Sequence, residues 1–394
     1  MSNVVYIVAA KRTPIGSFGG SLASLSAIDL GVHAAKAAFR ASGVDPMNID
    51  EVFFGNVCSA NLGQAPARQV ALKSGVSNRV PCTTINKVCS SGLKSVIVGA
   101  QTIQVGVNQA VLAGGTESMS NIPYYLPNFR WGMKFGQGSV VDGLQKDGLT
   151  DAYDQQAMGV CADATATKFE IGREEQDAYA IRSYKRASDA TDAGIMAHEI
   201  EPLPIPQKKG DPIVMTSDEE YKNVKFDKIP SLRAAFTKDG TVTAANASTI
   251  NDGAAALILV SESYLHEHNL KPIAKIIAYG EAAQEPQWFT TAPVLAAKVA
   301  LERAGFAVKD IDLFEVNEAF SVVAQAFIKS FDLNEDQVNI HGGAVALGHP
   351  LGASGARILV TLLNALRHTG KKKGLAAICN GGGGASSIIV EYLH

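Results

Sequence analysis

No stretch of this 394-residue chain approaches the roughly 18 consecutive apolar residues that a membrane-spanning helix requires. Charge of one sign is equally lacking. Lys and Arg number 35 against 38 Asp and Glu, a formal net charge of −3, which removes the global basic surplus of a nucleic-acid binder. An anionic ligand therefore has to be met by a local patch. Cys58, Cys82, Cys89, Cys161 and Cys379 make an odd number without C-x-x-C spacing, which argues against a disulfide framework or a zinc ribbon. There is no G-x-x-x-x-G-K-[ST], and the run Gly381 to Gly384 lacks dinucleotide spacing, so the nucleotide-binding reading of the glycines fails. The N-terminal MSNVVYIVAAKRTP has neither a basic leader with a long apolar segment nor an Arg/Ser-rich presequence. The final Glu391, Tyr392, Leu393, His394 is not a peroxisomal S-K-L. These features predict a soluble, cytoplasmic chain in a reducing compartment.

What is present is globular in composition, 46% apolar and 19% charged, and long enough for two or three packing units at roughly 150 residues each. The chain repeats itself. DLGVHAAKAAFRASGVDPMNIDEVFFGNV, from Asp29, shares its layout with APVLAAKVALERAGFAVKDIDLFEVNEA, from Ala292: amphipathic helix, Gly-centred break, short acidic turn, β-rich strand. Asn56 and Asn317 fall at equivalent places, Ser91-Gly92 matches Ser354-Gly355 before a helical run, and VLAGG at Val111 matches AICNGGGG at Ala377. The same order with a slowly drifting offset predicts two similar α/β halves, sharing a helical layer; two unrelated βα units are the competing reading. Residues 121–243 differ in composition and read as an inserted region, with a helix in REEQDAYAIRSYKRASDATDAG and Pro202, Pro204, Pro206 and Pro212 breaking regular structure. NASTINDGAAALILV, from Asn246, predicts a turn and helix start followed by a buried strand. The predicted boundaries are 1–120 with 244–270 for the first half, 121–243 for the insertion and 271–394 for the second half.

Cys89 stands between a β-rich run and a helix beginning near Ser90. Unpaired N–H groups and the positive helix end there predict a lowered thiol pKa and a candidate nucleophile, against the alternative of a buried filler cysteine. His349, between Gly348 and Pro350, suits a general base, and the repeat sets its loop opposite that of Cys89. His341, ahead of a Gly-Gly step, is a weaker candidate. Cys379 ends a strand before four glycines, whose N–H groups can converge on an oxyanion; a tight turn is the plainer alternative. Asn317 and Glu318 end another strand, where an amide can orient a water. His266 and His268 lie in a polar helical stretch and read as exposed. Thiols, imidazole, amide and glycine cradle at strand ends together predict acyl transfer.

Through NKVCSSG, GGTESMSN, NASTINDGAAA, NEAF, GGAVALGHPLGASGAR and CNGGGG, the sequence resembles the thiolase family along essentially its whole length. TVTAANAS and DGLTDAY with AMG are closest to its short-chain acetoacetyl-CoA branch. The resemblance implies a five-layer αβαβα fold with an inserted loop domain, usually a homotetramer of tight dimers, with CoA as substrate and product and a place in lipid metabolism. It implies acetyl-CoA C-acetyltransferase activity: Cys89 carries the acyl group, His349 takes its proton, and Cys379 serves the α-carbon of the second acetyl-CoA. One oxyanion hole is implied at His349 with a water on Asn317, the other at the N–H groups of Cys89 and Gly381. CoA contacts are implied for Lys228 and Ser248, the former within the basic run Lys222, Lys225, Lys228, Arg233 and Lys238. Leu149, Met158, Phe236 and Phe320 are implied around pantetheine or acyl group. Ala157 departs from members that have histidine there. The potassium-activated branch implies an ion at Tyr184, Ala244, Ala245, Ala247 and Val345, with Tyr184 beside CoA. The chemistry itself needs no metal or other cofactor. A β-ketoacyl synthase fits less well, because it typically has two histidines where this chain has His349 and Cys379. A broader 3-ketoacyl-CoA thiolase and a non-catalytic acyl-CoA binder remain the alternatives.

Overall fold

The computed structural model describes residues 3–393; the terminal His394 lies outside the described residues. The principal strands are β1 (Val5–Arg12), β2 (Glu51–Gly55), β3 (Cys82–Ile85), β4 (Ala110–Ser118), β5 (Asn251–Ser261), β6 (Ala274–Ala283), β7 (Leu313–Val316), β8 (Lys373–Asn380) and β9 (Gly384–Tyr392). The principal helices are α1 (Ala27–Ser42), α2 (Ser91–Gln104), α3 (Met158–Lys168), α4 (Arg173–Asp192), α5 (Ala292–Ala304), α6 (Ser321–Phe331) and α7 (Leu351–Thr369).

Outward from an antiparallel seam between β1 and β6, one half runs β1-β5-β4-β2-β3 and the other β6-β9-β8-β7. In each half the inner pairs are antiparallel and the outer ones parallel. A parallel bridge from Phe314 to Val338 stands beyond β7, where β3 stands beyond β2. Register shifts at Ile7/Ala9 and Ile276/Ala278 map onto each other across the seam. Local signals repeat as well. α1 and α5 each end on a left-handed glycine, Gly43 (φ 71°) and Gly305 (φ 66°), because the reversal there is tolerated without a Cβ. Each is followed by a short 3₁₀ turn, Pro46–Asn48 or Val308–Asp310, before its strand.

Helices α2 and α7 form the middle layer. Val96, Ile97, Leu359 and Leu362 pack with Val111 and Leu257 of the first half and with Ile378 and Ile388 of the second in one buried cluster. α1 covers the outer face of the first half, while α5 and α6 cover the second. The five layers of the thiolase fold are thus present, with one difference in detail: the sheets are continuous through Val5, Tyr6 and Ile7, which pair with Ile276, Lys275 and Ala274. β4 and β5 are buried along their whole length, as expected for strands covered on both faces. α7 is buried continuously from Leu351 to Leu366, so even its Ser354, Arg357, Thr361 and Asn364 lie inside.

Two local expectations fail. The turn at 244–247 starts no helix; it bridges through Ala247 to Phe320 and leads directly into β5. Pro204 does not break structure but sits in a two-stranded ribbon, Leu203–Ile205 against Ile213–Met215, where a proline without an N–H is tolerated on an edge. His266 and His268 are exposed, as expected. Among the described residues no helix is long and apolar enough to cross a membrane.

Candidate active site

A cavity of about 280 Å³ opens between the halves. Cys89, His349, Gly381, Leu149, Met158, Phe236, Phe320 and Ser248 all line it, so the structure brings together residues scattered over more than half the chain. Met119, Ile250, Phe289 and Leu351 complete its apolar wall, and no sequence signal singled them out.

The turn between β3 and α2 presents Cys89. Val88 takes φ 47°, a left-handed conformation costly for a β-branched residue. Its N–H donates to Asn86 Oδ1 (2.9 Å), its carbonyl accepts from Ser91 Oγ (2.6 Å), and Ser91 Oγ accepts from the Lys87 N–H (2.8 Å). The expected lowering of the Cys89 pKa is not found. Burial pushes the thiol up to about 12, although N–H groups of Gly381 and of Cys89 itself pull the other way. By surface area Cys89 is only half-buried, but what it meets is a walled cavity, so loss of solvation dominates.

His349 is held from both sides. Its N–H donates to Asn251 Oδ1 (2.9 Å), and Gly348 before it adopts φ 107° where a Cβ would strike the Asn251 side chain. Its Nδ1 lies 2.6 Å from Ser354 Oγ, and Ser354 donates its only proton to the Pro350 carbonyl (2.9 Å). Ser354 must then accept from Nδ1–H, which leaves Nε2 as a lone-pair base; that atom is buried and without a protein partner. Burial, followed by the charge of Arg357, lowers the imidazole pKa to about 3. The sequence marks Ser354 only as part of the Ser-Gly repeat, and marks neither it nor Asn251 as a positioning residue.

Cys379 is fully buried and does not line the cavity, and its thiol is raised by burial and then by the neighbouring Cys89. Asn380 Nδ2 donates to the Gly381 carbonyl (2.9 Å), while its Oδ1 accepts from Ser90 Oγ (3.0 Å), tying the glycine turn to the cap of α2. Asn317 is also fully buried; its Oδ1 accepts from Arg357 and its Nδ2 has no protein partner. Glu318 is saturated by Tyr179, Ser183, Asn339 and the Val345 N–H. His341 is buried away from the cavity, beside His368 at 5.4 Å, and burial lowers its pKa to about 4.

A more open groove of about 440 Å³ shares Phe236, Ala247, Ser248, Thr249 and Ile250 with the cavity and adds Ser17, Phe18, Glu220 and Ala244. Lys222, Lys225, Lys228, Arg233 and Lys238 are exposed near this rim in sequence, but none lines it; the Lys228 Nζ lies 3.7 Å from Asp227. Ala157 is exposed and caps α3 without entering the cavity. Tyr184 and Val345 share a separate buried cluster, and Ala245 is buried beside the groove residues Ala244 and Ala247. Among the described residues, no internal hydrogen bond uses the Tyr184 hydroxyl or the carbonyls of Ala244, Ala245 and Ala247. Such hard neutral oxygens fit a potassium ion.

The chain matches the thiolase N-terminal domain over residues 5–263 and the thiolase C-terminal domain over residues 270–392. It is 55% identical to an acetyl-CoA acetyltransferase of Schizosaccharomyces pombe over 388 residues, 98% of each chain. A cytosolic acetyl-CoA acetyltransferase of Gibberella zeae is 53% identical over 391 residues, 99% of this chain and 98% of that one. The crystal structure of the Acat5 thiolase from Ascaris suum with coenzyme A superposes with a TM-score of 0.95 at 50% identity, covering 99% of this chain and 100% of that one. Two matched domains in succession, the same five-layer frame and near-complete coverage by these relatives establish that the chain belongs to the thiolase family.

Proposed function

We propose that this protein is an acetyl-CoA C-acetyltransferase, joining two acetyl-CoA into acetoacetyl-CoA and CoA by a ping-pong route, and running the reverse thiolysis with the same residues. The observation that carries the reading is a thiol, Cys89, on the wall of a cavity that is also lined by a neutral His349 whose buried Nε2 has no protein partner.

In the first half-reaction Nε2 accepts the Cys89 proton as the sulfur attacks the thioester carbonyl; the C–S bond to CoA breaks, and the CoA sulfur takes its proton from Cys379, which leaves a Cys379 thiolate and a proton on Nε2. The oxyanion faces the N–H groups of Cys89 and Gly381. In the second, the Cys379 thiolate takes an α-proton from another acetyl-CoA, the carbanion attacks the S-acetyl carbon, the Cys89–acyl bond breaks, and Nε2 returns its proton to the Cys89 sulfur. Over the cycle the α-proton ends on Cys379 and the former Cys379 proton on CoA. The developing enolate oxygen is received by Nε2–H of His349 and a water on Asn317. Burial keeps Cys379 a thiol at rest, the form that protonates the departing carbon in thiolysis. Loss of one such oxyanion donor typically slows turnover about 10² to 10³-fold.

Ser248 and the shared groove support a CoA path through Leu149, Met158, Phe236 and Phe320, with Lys228 and its basic neighbours available to phosphate outside. Tyr184, Ala244, Ala245, Ala247 and Val345 would hold a potassium ion, which would stiffen the groove wall. Exposed Tyr124, Phe129, Trp131, Met133 and Phe135 in the inserted loop domain, 121–243, favour burial against further subunits in a homotetramer. The two halves, 1–120 with 244–270 and 271–394, then supply Cys89 and the His349–Cys379 pair respectively. A cytoplasmic location is supported by the name of the Gibberella zeae relative, which is cytosolic, and a place in lipid metabolism by the joining of two-carbon units itself.

The test is acetoacetyl-CoA thiolysis, in potassium and in sodium buffer, for the intact protein and Cys89→Ala, with 3-ketooctanoyl-CoA as second substrate. Activity on the four-carbon substrate alone, abolished in the variant and higher in potassium, is expected. Cleavage of both substrates would move the assignment to a broad 3-ketoacyl-CoA thiolase. Folded protein that binds CoA and cleaves neither would leave an acyl-CoA-binding protein.

A further inference from the structure

Arg357 is the one arginine of α7 that lies wholly in the middle layer, 1% exposed. Its Nη2–H donates to Asn317 Oδ1 at 3.3 Å. A guanidinium has donors only, so the amide that meets it must present oxygen and turn its NH₂ group the other way. The Asn317 N–H donates to the Ala377 carbonyl (2.9 Å), which fixes the backbone and leaves the amide rotation to Arg357. The first half shows the opposite outcome. At the comparable strand end, Asn56 spends its Nδ2 on the Thr116 carbonyl (3.1 Å) and Glu117 (2.9 Å), and its Oδ1 accepts from Ser59 (2.5 Å). Asn317 Nδ2, by contrast, is buried with no protein partner. Two asparagines that a sequence repeat sets side by side are thus made different by what meets their oxygen.

Glu315, two residues before Asn317, is 1% exposed and is the foremost acid acting on the Arg357 charge, without a hydrogen bond to it; burial pushes its carboxyl well above the usual carboxylate range. The same guanidinium acts on His349, so it stands near both groups assigned to the enolate oxygen.

We propose that Arg357 is a positioning residue for the condensation step: it turns the Asn317 amide so that Nδ2 is presented to the water that, with His349, receives the enolate oxygen. This rests on the reading of Asn317 given above. Arg357 does not line the cavity and acts through Asn317.

The test is a double-mutant cycle of Arg357→Lys and Asn317→Ala, read on two half-reactions. Acetylation of Cys89 by acetyl-CoA is followed by intact mass, and α-proton exchange of acetyl-CoA is followed in deuterium oxide. Arg357→Lys is expected to slow α-exchange by about tenfold, leave acetylation within about twofold, and add nothing once Asn317 is alanine. Equal loss in both half-reactions, or a full further loss on top of Asn317→Ala, would overturn the proposal. If Asn317→Ala alone leaves α-exchange intact, the reading of Asn317 itself falls, and this one with it. Should Arg357→Lys not fold, Glu315→Gln with Arg357→Gln removes the cation together with the acid that acts on it most, and the same two half-reactions decide.

Discussion

Cys89 illustrates how magnitudes choose between two effects that a residue's neighbours make plausible. A helix N-terminus offers a thiolate about 0.3–1 kcal/mol, up to about 2 in enclosed geometry, which is on the order of one pKa unit. Burial in a walled apolar cavity opposes it with several units, and the thiol rises to about 12. With His349 lowered to about 3, the resting pair is neutral thiol and neutral imidazole, and proton transfer waits for substrate. Below its pKa a thiol gains tenfold in thiolate per pH unit, so alkylation of Cys89 by iodoacetamide, located by mass spectrometry, should rise with unit slope from pH 6 through pH 9. A plateau beginning near pH 7 would instead mean a preformed thiolate–imidazolium pair.

At the scale of elements, the reactive loops meet because two helices start almost in contact. A Cβ on Gly92, in the first turn of α2, would come within 2.7 Å of the Ala356 N and 2.9 Å of the Gly352 carbonyl in the first turns of α7. These are backbone atoms in a close-packed layer and have no free rotation by which to yield. Gly92→Ala should therefore cost about 1–3 kcal/mol of stability, seen as a lower denaturation midpoint, and should reduce turnover by prising the Cys89 and His349 loops apart. A variant as stable and active as the parent would show that the helices separate without cost. The Ser-Gly steps at 91–92 and 354–355 were visible in the sequence as a repeat. Their reason was not, because a close helix crossing is a property of both helices at once.

For the whole molecule, the inserted region is anchored by a buried charge network as well as by packing. Arg12, at the end of β1, donates through Nε to Glu199 (2.6 Å) and through Nη1 and Nη2 to Asp218 (2.7 and 2.9 Å). All three side chains are 0–1% exposed. Removing the cation leaves two carboxylates in a low-dielectric interior, so Arg12→Met should destabilise the protein by about 3–5 kcal/mol, measured by chemical denaturation. Replacing all three groups by apolar residues of similar size should recover much of that loss. If Arg12→Met alone were neutral, the network would have no part in holding the insertion to the first half.

Much of this protein is determined locally and could be read from the chain alone. The duplicated helix, glycine break, acidic turn and strand follow from periodicity and capping, which act between residues a few positions apart. The candidate catalytic side chains, Cys89, His349, Cys379 and Asn317, stand out because they end strands or begin helices in glycine-rich turns. Tertiary structure decided what depends on distant groups: the high pKa of the Cys89 thiol, the tautomer set by Ser354, the opposite fates of Asn56 and Asn317, and a cavity wall of Met119, Ile250, Phe289 and Leu351. Solvation and amide orientation are fixed by atoms that arrive from elsewhere in the chain, and one-dimensional spacing contains no measure of them.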